Sequence, residues 1–253
     1  MVAGLGGVAS VLVIRTLLFD GDDTLWANSH HFEAAMVRWA ELVCAPGVAM
    51  PEGAPGVPAG GWTHAAARAE LNRVEAANFH NAIGTFGFAD NLRVAAATIV
   101  RPEALAAIHT QCANLVAAMP TTDAEAFPEV PAVLDALGER FVLGLVTRGD
   151  PTEQHAKLAS SGLGDRFRHV AVVPAKNAET YAGLARDWGL DPAATVMIGN
   201  SPRSDIEPAL AAGMGAVLVS HGETWHLEVV DLDHLGDAFH SISRFEDLLT
   251  LFP

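Results

Sequence analysis

The chain has 253 residues, 50% of them hydrophobic, 18% charged and 7% aromatic, which suits one large domain or a core with a smaller companion and excludes disorder as the main state. Lys and Arg total 15 against 30 Asp and Glu, a formal charge of −15. Such a surface repels phosphate backbones and argues against a nucleic-acid partner, while a single bound divalent cation would still admit an anionic substrate.

In chain order, residues 1–19 are apolar and Gly-rich, but no positive segment precedes them and Arg15 interrupts them. They read as a loose extension of ten residues and a strand over 11–19, not as a targeting segment. No other stretch approaches the ~20 apolar residues of a membrane span. Residues 27–120 are Ala-rich, with helical periodicity at 32–43, 63–77, 92–99 and 102–118 and no comparable strand run. They read as a helical insert, and the Pro/Gly-rich stretch 45–61 as a loop joining two of its helices. After about residue 125, strand runs at 142–146, 170–173, 194–198 and 215–219 alternate with helical patterns at 151–161, 178–188 and 205–212. Continuous apolar strands with helical crossovers predict a parallel sheet covered on both faces. Thr147, Lys176 and Asp205 follow one another at intervals of 29 residues, about one βαβ unit each. The expected fold is α/β: a doubly wound parallel-sheet core from 1–26 and 121–253, with 27–120 as a helical domain inserted after the first strand. Two cysteines, Cys44 and Cys112, make neither a disulfide framework nor a zinc cluster and read as reduced thiols of a cytoplasmic protein.

The strongest local signal is the strand Leu17-Leu18-Phe19 running into Asp20, Asp22 and Asp23. Ligands of parallel sheets bind outside the carboxyl ends of the strands, and clustered carboxylates are costly unless a cation or proton compensates. A solvated acidic turn is the bland explanation. The same edge collects polar groups from later strands. Thr147 alone could be a helix cap, and Asp205 alone an acid at a helix start. Lys176 is one of only two lysines, the other being Lys157, and at a strand end it supplies a compact point charge. Four groups in order, each just past a strand, make the separate explanations poor ones.

Together these residues resemble the motifs of the haloacid dehalogenase superfamily, in its subgroup of small-molecule phosphatases with a helical cap. Asp20, Asp22 and Thr24 match its Asp-x-Asp-x-Thr motif, Thr147 its strand-ending Thr or Ser, and Lys176 its lysine before a helix. The run Gly199-Asn200-Ser201-Pro202-Arg203-Ser204-Asp205 matches its acidic cluster, although Asn200 stands where an acid is frequent. The resemblance implies a core with an inserted cap and a Mg²⁺-dependent hydrolysis of a small phosphorylated metabolite. Asp20 would be the nucleophile, forming an aspartyl-phosphate, and Asp22 the acid that protonates the leaving alcohol and then the base that activates water. Mg²⁺ would be held by the Asp20 carboxylate, the Asp22 backbone carbonyl and Asp205, with Asn200 and Ser204 behind them. Thr147, Arg148 and Lys176 would bind the phosphoryl group.

Around these, Asp23 reads as a hinge or water-network residue, and Trp26, His30 and His31 as the passage into the cap, with either histidine able to meet substrate. Residues 83–88 and Thr224-Trp225 are further candidates for the rim; core packing or a surface place explains them equally well. The alternatives are a 2-haloacid dehalogenase, against which Asp22 argues because a halide leaves without a proton, and a phosphomutase with the same motifs. From another class comes an inactive scaffold used for binding. Phosphonate cleavage through a cap lysine is excluded, since 27–120 contains no lysine.

Overall fold

Every residue of the first strand, β1 (Thr16–Phe19), is buried, and its side chains divide by the two-residue period of a strand. Leu17 and Phe19 enter one apolar cluster, while Leu18 enters another on the opposite face. The computed structural model describes residues 13–79, 84–220 and 227–253. Five further strands complete the sheet among these residues: β2 (Val142–Arg148), β3 (His169–Val173), β4 (Thr195–Gly199), β5 (Gly215–Val219) and β6 (His240–Ile242). All pairings are parallel, in the order β3-β2-β1-β4-β5-β6. The order reverses between β1 and β4, the crevice where ligands of such sheets lie.

Among the described residues five helices lie between β1 and β2, and the first four form a bundle: α1 (Ser29–Val43), α2 (His64–Asn78), α3 (Gly84–Ile99) and α4 (Pro102–Ala117). They pack mainly on one another, around Trp39, Leu71, Leu92 and Ile99, in an apolar cluster of their own. The sheet is covered by α5 (Val130–Gly138), α6 (Pro151–Ser160) and α9 (Leu248–Leu251) on the face of Leu17 and Phe19. On the other face lie α7 (Ala178–Trp188) and α8 (Glu207–Ala211), which bring Tyr181, Ala185 and Ala209. Local signals agree with this burial. Asp150 accepts from Thr152 and Glu153 N–H ahead of Pro151 at the start of α6, and Asn177 accepts from Thr180 N–H at the start of α7, caps worth about 1 kcal/mol each. Gly189 ends α7 at a φ of 67°, the left-handed turn that glycine adopts without strain.

The parallel α/β sheet with helices between β1 and β2 follows the sequence pattern, with differences at the ends. β1 starts at Thr16; residues 13–15 lie outside it, although Arg15 N–H still donates to the Ala194 carbonyl at 2.8 Å. Residues 1–12 lie outside the described region. α3 begins eight residues before the periodicity at 92–99, because Gly84 and Gly87 dilute the apolar pattern of its first turns. The helix expected from 205 is preceded by a wide turn, Pro202–Ile206, in which Ile206 N–H reaches back five residues to the Ser201 carbonyl. Wide turns of this kind recur at functional sites, and this one draws Asp205 inside the protein. No helix of the described residues is long and apolar enough to cross a membrane.

Candidate active site

Asp20 follows directly on β1, where its N–H still bonds the Ile198 carbonyl of β4 at 2.9 Å, so it stands at the carboxyl edge beside the switch point. Lys176, three residues past β3, extends its ammonium to Asp20 Oδ1 and to Asp205 Oδ1, the latter at 2.7 Å. All three side chains are buried; Asp205 has no exposed surface. Asp205 Oδ2 also accepts from Ser201 N–H at 3.0 Å. Its side chain lies directly over Gly199, where a Cβ would stand 2.2 Å from Oδ2, so the residue before Asn200 has to be glycine. Burial, and then the charge of Asp205, push the Asp20 carboxyl up to about 8, against the opposing pull of Lys176. Asp205 is raised in the same direction, chiefly by burial. Burial works against the Lys176 charge as well, yet its two carboxylate partners hold it above its usual range.

At the Lys176 ammonium, two buried carboxylates therefore share one positive charge. Among the described residues no three His, Cys, Asp or Glu side chains form a metal cluster. Asp20 Oδ1 and Asp205 Oδ1 nevertheless converge on one point, the Lys176 nitrogen. A donor set of two hard oxygens with missing positive charge suits Mg²⁺, which keeps several of its own waters.

The other predicted residues surround this pair. Thr24 is buried; its hydroxyl donates to Asn200 Oδ1 at 3.3 Å and accepts from Asn200 N–H at 3.1 Å, which joins the first motif to the fourth. Thr147, at the end of β2, donates to Gln154 Oε1 at 3.1 Å. Asp22 turns away from Asp20 and Asp205: its oxygens accept from Trp26 Nε1 at 2.7 Å, Gln154 Nε2 at 2.9 Å and Lys157 Nζ at 2.8 and 2.9 Å. Arg148 lines the same cavity, but its guanidinium donates to the Phe79 carbonyl and lies over the Phe79 ring. Ser204 donates to Glu228.

Asp23 has a φ of 57°, the sole left-handed non-glycine backbone among the described residues. Its carboxylate accepts from the N–H groups of Asn28 and Ser29 at the start of α1, and from the Ser29 hydroxyl. Trp26 is fully buried, His30 lines the cavity, and His31 packs on His30 at 3.7 Å between ring centroids. Gly84 and Phe88 line the cavity too, while Phe86 is 77% exposed. Ile83, Thr224 and Trp225 lie outside the described residues. The cavity measures about 870 Å³, open between the sheet edge and α1–α3.

A family profile for haloacid dehalogenase-like hydrolases matches residues 14–213. The chain belongs to that family. Among curated relatives it is 29% identical over 102 residues to a phosphoserine phosphatase of Thermus thermophilus, covering 38% of this chain and 41% of that one. It is 31% identical over 129 residues to a glyceraldehyde 3-phosphate phosphatase of Methanopyrus kandleri, covering 49% and 54%. The chain thus spans about half the length of the curated relatives it matches. Two solved structures share the fold: a haloacid dehalogenase-like hydrolase of Xanthomonas campestris (TM-score 0.72, 22% identity, 95% of both chains) and a 2-haloacid dehalogenase of Pseudomonas syringae (0.57, 21%, 95% and 98%).

Three residues of this hydrolase's site escaped the sequence reading. Gln154 and Lys157 sit on α6 and line the cavity; Glu228 accepts from the Ser201 and Ser204 hydroxyls. Lys157 had a signal, as one of only two lysines in the chain, both of which enter the site. Gln154 and Glu228 had none, since a helical glutamine and a loop glutamate are ordinary surface residues.

Proposed function

We propose that the chain is a Mg²⁺-dependent phosphatase that hydrolyses a small phosphomonoester through Asp20. The observation that carries this is the convergence of Asp20 and Asp205 on Lys176 at the sheet's switch point, with a third carboxylate, Asp22, two residues from Asp20. A buried carboxylate beside a lysine suits attack on phosphorus in line, with formation of an aspartyl-phosphate and departure of the alcohol. Asp22 protonates the leaving oxygen and, in the second step, takes the proton of the attacking water. Lys176 offsets charge on the transferring group, and Thr147 can offer its hydroxyl to a phosphoryl oxygen in place of Gln154. Arg148, held at the cavity wall, adds positive charge there. Asp20 and Asp205, with the Asp22 carbonyl, would hold Mg²⁺, and Asn200 and Ser204 would order the surrounding loop. When bound, the ion removes the repulsion between a carboxylate and a phosphate dianion.

Residues 27–120 act in this reading as a cap over a core of 1–26 and 121–253. Phe79 between Arg148 and Arg203, Thr85 against Glu153, and Asn28 against Lys157 are contacts between these two parts, and in this reading a closed cap would shield the site from water. The names of both curated relatives, phosphatases of phosphoserine and of glyceraldehyde 3-phosphate, support a small phosphorylated metabolite as substrate. Free cysteines at 44 and 112 fit a cytoplasmic setting.

The test is hydrolysis of p-nitrophenyl phosphate with Mg²⁺, alongside chloride release from 2-chloropropionate. Phosphate release that disappears with EDTA and returns with Mg²⁺, without chloride release, is expected. Chloride release without phosphatase activity would transfer the site to dehalogenation.

A further inference from the structure

Asp22, two residues from Asp20, takes no part in the Lys176 pairing, and its own surroundings are specific. Both of its oxygens are filled: Trp26 Nε1 and Lys157 Nζ donate to Oδ1, Gln154 Nε2 and Lys157 Nζ to Oδ2, all between 2.7 and 2.9 Å. These four bonds fix the orientation of both oxygens, and the oxygen that serves the leaving group exchanges its Trp26 or Gln154 bond when it carries the proton. The Lys157 ammonium also donates to Asn28 Oδ1 at 2.8 Å. Asn28 is the residue before α1, where the chain leaves β1 for the helical bundle. Gln154, one turn before Lys157 on the same face of α6, links the cluster to Thr147.

Lys157 is only 4% exposed. A buried ammonium is costly unless paired, and a helix that needed only apolar cover at this position would carry leucine or methionine. Its aliphatic stem fills space that any long side chain would fill, whereas its head group meets three oxygens that no neutral residue would satisfy together. The cluster therefore spans the loop after β1, the wall made by α6 and the entrance to the bundle, with Lys157 at the point where the three meet.

Resting on the phosphatase reading, we propose that Lys157 is the positioning residue of the acid/base step: it fixes the Asp22 carboxylate beside Thr147 and ties it to Asn28, so that Asp22 is aligned for the leaving group when the entrance to α1 is in place. Lys157 itself touches neither the substrate nor the phosphoryl group in this scheme. It acts through Asp22, which distinguishes it from Lys176.

The test uses the full chain with Mg²⁺ and two esters of similar size. p-Nitrophenyl phosphate loses its leaving group without a proton, and phenyl phosphate does not. Lys157→Met should lower kcat/KM about 30-fold or more on phenyl phosphate, within the range of acid catalysis, and less than about threefold on p-nitrophenyl phosphate. Introduced into Asp22→Asn, the same substitution should change phenyl phosphate hydrolysis less than about twofold, because the group it positions is already gone. If Lys157→Met does not give the circular dichroism spectrum of the unaltered chain, Lys157→Gln takes its place with the same expected contrast. Equal losses on both esters, no loss on either, or an undiminished loss in the Asp22→Asn background would each overturn the role of Lys157 and leave the phosphatase reading standing. Failure of the unaltered enzyme on both esters would instead remove that reading, and this inference with it.

Discussion

At the scale of residues, the site is made by close approach as much as by charge. Gly21 and Gly199 lie where a side chain would strike a functional group: a Cβ on Gly21 would meet the Trp26 ring at 2.7 Å, and one on Gly199 would meet Asp205 at 2.2 Å. Gly199→Ala should displace Asp205, destabilise the protein by about 2 kcal/mol in urea titration, and reduce Mg²⁺-dependent turnover at least 100-fold, roughly. A variant with unchanged turnover would mean that Asp205 has no part in the chemistry. Cys112 offers a contrast. Burial pushes its thiol up to about 11, so at pH 7.5 almost none is thiolate. Iodoacetamide should leave it unmodified in the native protein and label it fully in denaturant, as mass spectrometry of the peptides would read. At this scale the sequence was legible wherever a motif combined identity with spacing, as for Asp20, Thr24, Thr147, Lys176 and Asp205. It was silent for Gln154 and Glu228, whose roles depend on α6 and the segment after β5 folding back over the sheet edge.

At the scale of elements, the joint between β1 and α1 carries the most unusual backbone. Asp23 accepts a left-handed conformation and in return binds two N–H groups at the start of α1. Asp23→Ala would lose these caps and keep the strained φ, at a cost of about 2 kcal/mol, measurable in urea unfolding. No loss of stability would show that the carboxylate does not hold this joint. The strands β2 to β5 were readable because each contains a continuous apolar run with a polar residue at its end or, for β3, three residues beyond it. β6, with the sequence His-Ser-Ile at the sheet edge, has no such run, and α5 and α9 became visible only as the cover over Leu17 and Phe19. The wide turn at Pro202–Ile206 was not readable either: its residues look like a helix start, and the turn shows only in the fold, where it carries Asp205 over Gly199.

At the scale of the whole molecule, the sheet edge holds two buried carboxylates, Asp20 and Asp205, on the single Lys176 ammonium, a deficit of positive charge that a proton or a cation could fill. The consequence appears in stability against pH. Asp20 has an ordinary value of 3.8, raised to about 8 in the fold by burial first and by Asp205 second. A raised acid means that folding takes up a proton. Its contribution to stability is complete below about pH 4 and is lost as pH climbs toward 8. Without divalent cations the melting temperature should therefore fall across that interval; Asp20→Asn should flatten the slope, and added Mg²⁺ should raise the melting temperature most at pH 8. A slope unchanged by Asp20→Asn would place the deficit elsewhere. The central claim, that Asp20 attacks phosphorus, is tested most directly by quenching a single turnover of p-nitrophenyl phosphate in acid and locating the phosphoryl group by peptide mass spectrometry. The account predicts one phosphoryl group on the peptide carrying Asp20, none in Asp20→Asn, and turnover in that variant lower by about 10³-fold or more with the fold intact. Turnover with no trapped phosphoryl group, or one trapped on another residue, would contradict it.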